Sequence, residues 1–149
     1  MRRRSQRQRV HGKLVQCFVG GGVNGEIRKA SVTANAGDGQ VDWVLQSGME
    51  YYREDKTTLI AIAESTNLFT FPLQNSFTGT AQSFRSALGT DWANSNQTWF
   101  CDATGTASWT NSGGTTGYHR TGNVTGSTAI TLTNANCAAS FFPLLCVEQ

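Results

Sequence analysis

Hydrophobic positions along this chain come in short runs broken by Gly, Ser, Thr and Asn, the rhythm of strands and loops rather than of bundled helices. Residues 14–19 form a mostly apolar run suited to a strand. Gly20-Gly21-Gly22 ends it, and Asn24-Gly25 is a two-residue turn signal leading into 26–33, so a hairpin is expected there. The triple glycine lacks the Gly-Lys-Ser/Thr and the following helix that a phosphate loop needs. Residues 40–45 (QVDWVL) carry strand-forming side chains, and 57–63 (TTLIAIA) read as a buried strand or short helix. Between them, Glu54-Asp55 marks a turn tip joining Tyr-rich and Ile-rich strands. The Phe-rich segment 67–73 holds Pro72, which confines it to an edge or a strand end. Residues 81–88 predict one or two helical turns before Gly89. Residues 127–133 alternate enough to predict a strand, and 141–147 (FFPLLCV) predict a buried strand starting after Pro143.

A length of 149 residues fits one domain and would bury roughly 70% of its unfolded surface, enough for a true core. Sixteen glycines against two prolines fit a loop-rich domain. The formal net charge of +2 conceals a segregation. Arg2, Arg3, Arg4, Arg7, Arg9 and Lys13 supply six of the twelve basic residues, leaving six against ten acids, so the body carries about −4. The basic head could neutralise phosphates, but no aromatics interleave with its arginines for stacking on bases. Residues 1–13 are therefore expected to be a basic segment without order or foreign to the domain, with a binding domain over 14–149 and no nucleic-acid partner.

No secretory signal is visible, since the longest apolar fragment in the first thirty residues is Cys17-Phe18-Val19, and no stretch is long enough to span a membrane. The four cysteines, Cys17, Cys101, Cys137 and Cys146, form no C-x-x-C pair, and His11 and His119 sit in dissimilar contexts, so no metal site is expected. An even cysteine count in a loop-rich domain favours disulfides and an oxidising compartment.

Catalytic chemistry is not expected either. No Gly-x-Ser-x-Gly occurs, and His119 lies in a Gly/Thr stretch as an exposed polar residue rather than a base. The carboxylates Asp42, Glu50, Glu54, Asp55, Glu64, Asp91 and Asp102 are too scattered in sequence to suggest an acid–base pair or a calcium loop. Trp92 and Trp99 are read as core. Tyr51 and Tyr52 are adjacent, so a strand would turn one of them outward as a contact residue. No cofactor and no small-molecule substrate are expected.

Cys137 and Cys146 flank the run leading into the last strand, and a bridge between them would have to bend it. The simpler pairing is Cys101 with Cys137, which leaves Cys146 for an N-terminal partner. Closing the loop from Cys101 to Cys137 contributes on the order of 4 kcal/mol in the chain-entropy model.

Several segments together resemble the leptospiral endostatin-like proteins, a family of spirochaetal surface lipoproteins related to endostatin and more distantly to C-type lectin domains. They are Gln40-Val41-Asp42-Trp43-Val44-Leu45, Tyr52-Arg53, Phe69-Thr70-Phe71-Pro72-Leu73-Gln74-Asn75-Ser76, Asp91-Trp92, Cys101, Trp109 and the closing Leu144-Leu145-Cys146-Val147-Glu148-Gln149. The resemblance implies an α+β, C-type-lectin-like/endostatin-like fold, strand-rich with long loops and one or two short helices. It implies a non-enzymatic surface adhesin that binds the extracellular-matrix proteins laminin and fibronectin, complement regulators of the factor H type, and plasminogen. Such a protein would be at the cell surface, in the outer membrane or secreted, touching membrane only through a lipid anchor that this chain does not contain. In that family an early cysteine on a short helix is placed to pair with the last one. Here arginine-rich sequence stands in its place, and Cys17 falls where the following strand would be. The calcium-dependent sugar loop and the Trp-Asn-Asp motif of lectins are missing: Thr133-Asn134-Ala135-Asn136 precede Cys137. The alternative function is a calcium-independent carbohydrate-binding domain using exposed Trp or Tyr. No particular ligand-contacting residue follows from the sequence.

Overall fold

The structure, a computed structural model, describes residues 8–10, 13–17, 21–23, 26–86, 88–93, 116–121, 123–130, 133–136 and 143–148. Among the described residues, ten short strands arrange as four small sheets. Strands β1 (Gln8–Val10), β2 (Lys13–Cys17) and β10 (Cys146–Glu148) form an antiparallel sheet in the order β1-β2-β10. Strands β3 (Gly21–Val23) and β4 (Glu26–Arg28) make the hairpin that Asn24-Gly25 predicts, with Val23 opposite Glu26. Strands β5 (Glu50–Tyr52) and β6 (Leu59–Ile62) form a second hairpin. Strands β7 (Ser83–Arg85), β8 (Thr116–Thr121) and β9 (Thr133–Asn136) complete the set, in the order β7-β8-β9. The one helical element among the described residues is a 3-10 turn at Ser127–Ala129. The domain is strand-rich.

Its core is aromatic. Trp92 (1% exposed) is the largest fully buried side chain among the described residues. Its ring stacks on Phe71, with centroids 5.5 Å apart, and meets Trp43 and Phe69 edge-on. Phe69 continues the cluster to Tyr51 and Phe77, and Phe77 passes it to Phe84. Such edge-to-face pairs add about 0.5–1.5 kcal/mol each beyond the area they bury.

Between residues 29 and 93 much of the backbone lies outside ladders, so side chains satisfy it instead. The Trp43 indole N–H donates to the Asn67 carbonyl (2.8 Å) and that of Trp92 to the Phe69 carbonyl (3.1 Å). The Gln40 amide donates to the carbonyls of Ala30 and Thr66. Asp38 accepts from the backbone N–H groups of Val32 and Thr33 and from the hydroxyls of Ser31 and Thr33. Arg28 links three segments: one Nη donates to the Cys17 carbonyl (2.7 Å), the other pairs with Asp42 (2.6 Å), and Asp42 also accepts from the amide of buried Gln16.

Several expectations need correction. The head is not wholly without order, since Gln8–Val10 pair with β2. Residues 40–45 form no strand, only a single bridge between Val41 and Lys29. Asp42 is left-handed (φ 47°) where Arg28 and Gln16 draw its carboxylate, and Val44 and Leu45 are both buried instead of alternating. Residues 81–88 give β7 rather than helical turns, because pairing with β8 outweighs local preference. Residues 127–133 begin not as a strand but as the 3-10 turn Ser127–Ala129, and Thr133 belongs to β9.

Candidate functional site: an apolar groove and a polar cleft

The β5–β6 hairpin behaves as its pattern implies. Tyr51 points inward (9% exposed) and Tyr52 outward (44%), with Glu54-Asp55 in the turn between the strands. Asp55 closes that turn by accepting from the N–H groups of Thr57 and Thr58 and the Thr58 hydroxyl. These bonds, the Thr58 hydroxyl foremost, hold its pKa down at about 2. The Tyr52 hydroxyl donates to Glu50 (2.6 Å), and the carboxylate it meets raises the pKa of the phenol.

Beside this hairpin runs a groove of about 780 Å³, with residues 144–148 on its other side. Met49 (53% exposed), Tyr52 (44%) and Leu144 (47%) stand along it. Buried Ile60, Phe69 and Phe77 also line it. Glu50, Glu54 and Glu148 line it together with Arg53 and Lys56, a net acidic set. Arg53 is held by Ser76, whose carbonyl and hydroxyl accept from its guanidinium. Large exposed apolar side chains within a polar rim are the anatomy of a protein-docking surface.

One end of the groove is fastened covalently. A disulfide joins Cys17 on β2 to Cys146 on β10, and Cys146 lines the groove. Cys101 and Cys137 lie outside the described residues, as do Trp99, Trp109, Asp102 and His11. The backbone of His119 lies in β8, opposite Arg85 on one side and Thr133 on the other, rather than in a loop.

The second cavity, of about 540 Å³, shares Phe69 with the first. Its lining is mixed: Asn35, Thr66, Thr70, Thr90, Asp91 and Ser127 bring polar groups, and Leu68, Phe69, Phe71 and Trp92 are apolar. Trp92 is core, as expected for it.

The carboxylates weighed for catalysis are dispersed. Asp42 is paired with Arg28, Glu50 holds Tyr52, Asp55 closes a turn, and Asp91 accepts the Ala93 N–H. Among the described residues no three His, Cys, Asp or Glu side chains gather as metal ligands would. No helix among them is long and apolar enough to cross a membrane. Sequence reasoning found Tyr52 through its alternation with Tyr51. It missed Met49, which has no distinguishing neighbour, and Leu144, which the apolar run 141–147 disguises as core.

The domain is strand-rich, and the comparison with known families places the chain. Residues 3–129 match the family described as "Protein of unknown function (DUF1554)", and the chain belongs to it. The match begins inside the basic head, so that segment falls within the family's span. No curated protein and no solved structure matches the chain.

Proposed function

We propose that this domain is a protein-binding module of the surface-adhesin type, with an endostatin-like/C-type-lectin-like fold, and that its partner docks in the apolar groove. One observation carries the reading: Met49, Tyr52 and Leu144 hold large apolar area in solvent along a single groove that charged residues also line. Residues of this kind, central in an interface and ringed by polar groups, supply most of its binding energy. The net acidic lining and the acidic body favour a partner with a basic patch and would speed its approach at low salt. The resemblance to the leptospiral endostatin-like proteins supports host matrix proteins and complement regulators as that partner, and a surface or secreted location.

The test is surface plasmon resonance of the folded domain on immobilised laminin, fibronectin and factor H. Saturable binding to at least one is expected. Leu144→Asp or Tyr52→Ala should weaken it tenfold or more, equivalent to about 1.4 kcal/mol, while circular dichroism stays native. Reduction should also weaken it, by freeing β10. Binding that ignores both groove substitutions, or absence of binding to all three, would sink the proposal.

A further inference from the structure

We propose that the polar cleft is a second, independent binding site, and that it takes a neutral sugar ring without a bridging metal. Its volume of about 540 Å³ lies within the usual range for small-molecule sites, and the lining belongs to four segments that the fold pins from behind. The Asn35 N–H donates to the Asp91 carbonyl (2.8 Å), which ties the turn carrying Asn35 to the turn carrying Thr90. Gln40 holds the Thr66 carbonyl, and the Trp92 indole holds that of Phe69. Three residues around the cleft, Asn35 (φ 56°), Asn67 (φ 56°) and Trp92 (φ 67°), are left-handed. Asn adopts that region with little penalty, but for a tryptophan it is a true outlier. Backbone strain of this kind persists where the surroundings over-determine it and gathers at ligand sites.

The chemistry of the lining selects the ligand class. The side chains of Asn35, Thr66, Thr70, Thr90 and Ser127 make no hydrogen bond among the described residues, so an amide and four hydroxyls are available to a ligand. Asp91 is the one charged group lining the cleft among the described residues, and no basic side chain accompanies it. A phosphate or carboxylate ligand would meet a carboxylate with no compensating cation. A polyhydroxylated neutral ring can both donate to and accept from these amide and hydroxyl groups. Phe71 completes the fit: one of its faces is covered by Trp92 at 5.5 Å, and half-buried Phe71 also lines the cleft, giving the C–H face of a sugar an aromatic surface.

The experiment is protein-observed NMR titration of the whole chain with glucose, galactose, mannose, N-acetylglucosamine, choline and N-acetylneuraminic acid, each with and without EDTA. Saturable shifts from at least one neutral sugar are expected, unchanged by EDTA, with a weaker response or none to the acidic sugar. Thr70→Val and Ser127→Ala should each weaken that binding roughly three- to tenfold, the value of one neutral hydrogen bond, without changing the fold. Leu144→Asp should leave it unaltered, which separates this site from the groove. No saturable shift with any neutral sugar, a response to choline alone, loss with EDTA, or indifference to both Thr70→Val and Ser127→Ala would each overturn the proposal.

Discussion

Two regions of this molecule achieve order by different means. The sheet β1-β2-β10 is ordinary in construction: short antiparallel ladders, closed by the Cys17–Cys146 disulfide. The segment from 29 to 93 has two short hairpin strands, part of a third sheet, and long irregular stretches whose backbone is held by indoles, Gln40 and Asp38 around an aromatic cluster. The difference locates the two candidate sites. The groove lies where the two regions meet, so its shape depends on a covalent link and on exposed side chains. The cleft is lined by the irregular region and by Ser127 of the 3-10 turn, so its shape depends on turns, several of them held by side chains.

The comparison can be broken first at Trp92. Trp92→Ala removes the largest fully buried side chain among the described residues along with its bond to Phe69, and should cost about 3–5 kcal/mol. For a chain of this size that corresponds to a fall of about 6–20 °C in Tm by differential scanning calorimetry. A small shift would show that the aromatic cluster does not hold the irregular region. The paired change Cys17→Ser with Cys146→Ser should cost about 2–4 kcal/mol. Here, however, the near-ultraviolet dichroism of the aromatic cluster should survive at 25 °C while amide exchange in β10 quickens. If the aromatic signal vanished as well, the two regions would not be separable.

A finer contrast lies between two glycines. A Cβ on Gly37 (φ 67°) would sit 2.1 Å from the Thr66 carbonyl oxygen, against the wall of the cleft. Gly48 (φ 75°) has the same handedness but open space around it. Gly37→Ala should therefore cost at least about 2 kcal/mol, and Gly48→Ala only about 1 kcal/mol, the intrinsic left-handed penalty. Equal losses in urea denaturation would mean that the packing of turn against turn contributes nothing.

The same division explains what was legible in the sequence. Where the chain makes ladders, local signals suffice: Asn24-Gly25 marks the β3–β4 hairpin, and the alternation of Tyr51 and Tyr52 marks an inward and an outward face. Where side chains bind backbone across distance, no local pattern reveals it. The strand-like run at 40–45 yields to contacts of Asp42 with Arg28 and Gln16, 14 and 26 residues away. The helix-like run at 81–88 yields to β8, more than thirty residues on. The groove was half legible, through Tyr52, because the exposure of Leu144 depends on how the chain end lies against the hairpin. The cleft was not legible, since Asn, Thr and Ser in turns look the same whether or not they converge.

Acid should separate the two kinds of turn most gently. Asp38 has its pKa lowered to about 2, chiefly by the Thr33 backbone N–H, then by the Thr33 hydroxyl, with Ser31 and Val32 adding to it. Asp55 is lowered to about 2 as well, chiefly by the Thr58 hydroxyl and backbone N–H. The ordinary value for both is 3.8, so each carboxylate is more easily ionised in the folded protein than in the unfolded one. Their stabilisation is therefore fully present above about pH 4 and is lost as the pH falls from there through about 2. Both groups are exposed, so the effect is small. Asp38→Asn combined with Asp55→Asn should flatten the fall in Tm between pH 5 and pH 2 relative to the parent chain. Asp38 braces the turn that carries Asn35 toward the cleft, whereas Asp55 braces only the hairpin tip. Asp38→Asn should therefore disturb amide signals around the cleft at neutral pH, and Asp55→Asn should leave them in place. A parent-like pH profile in the double variant would remove these two turns from the acid response.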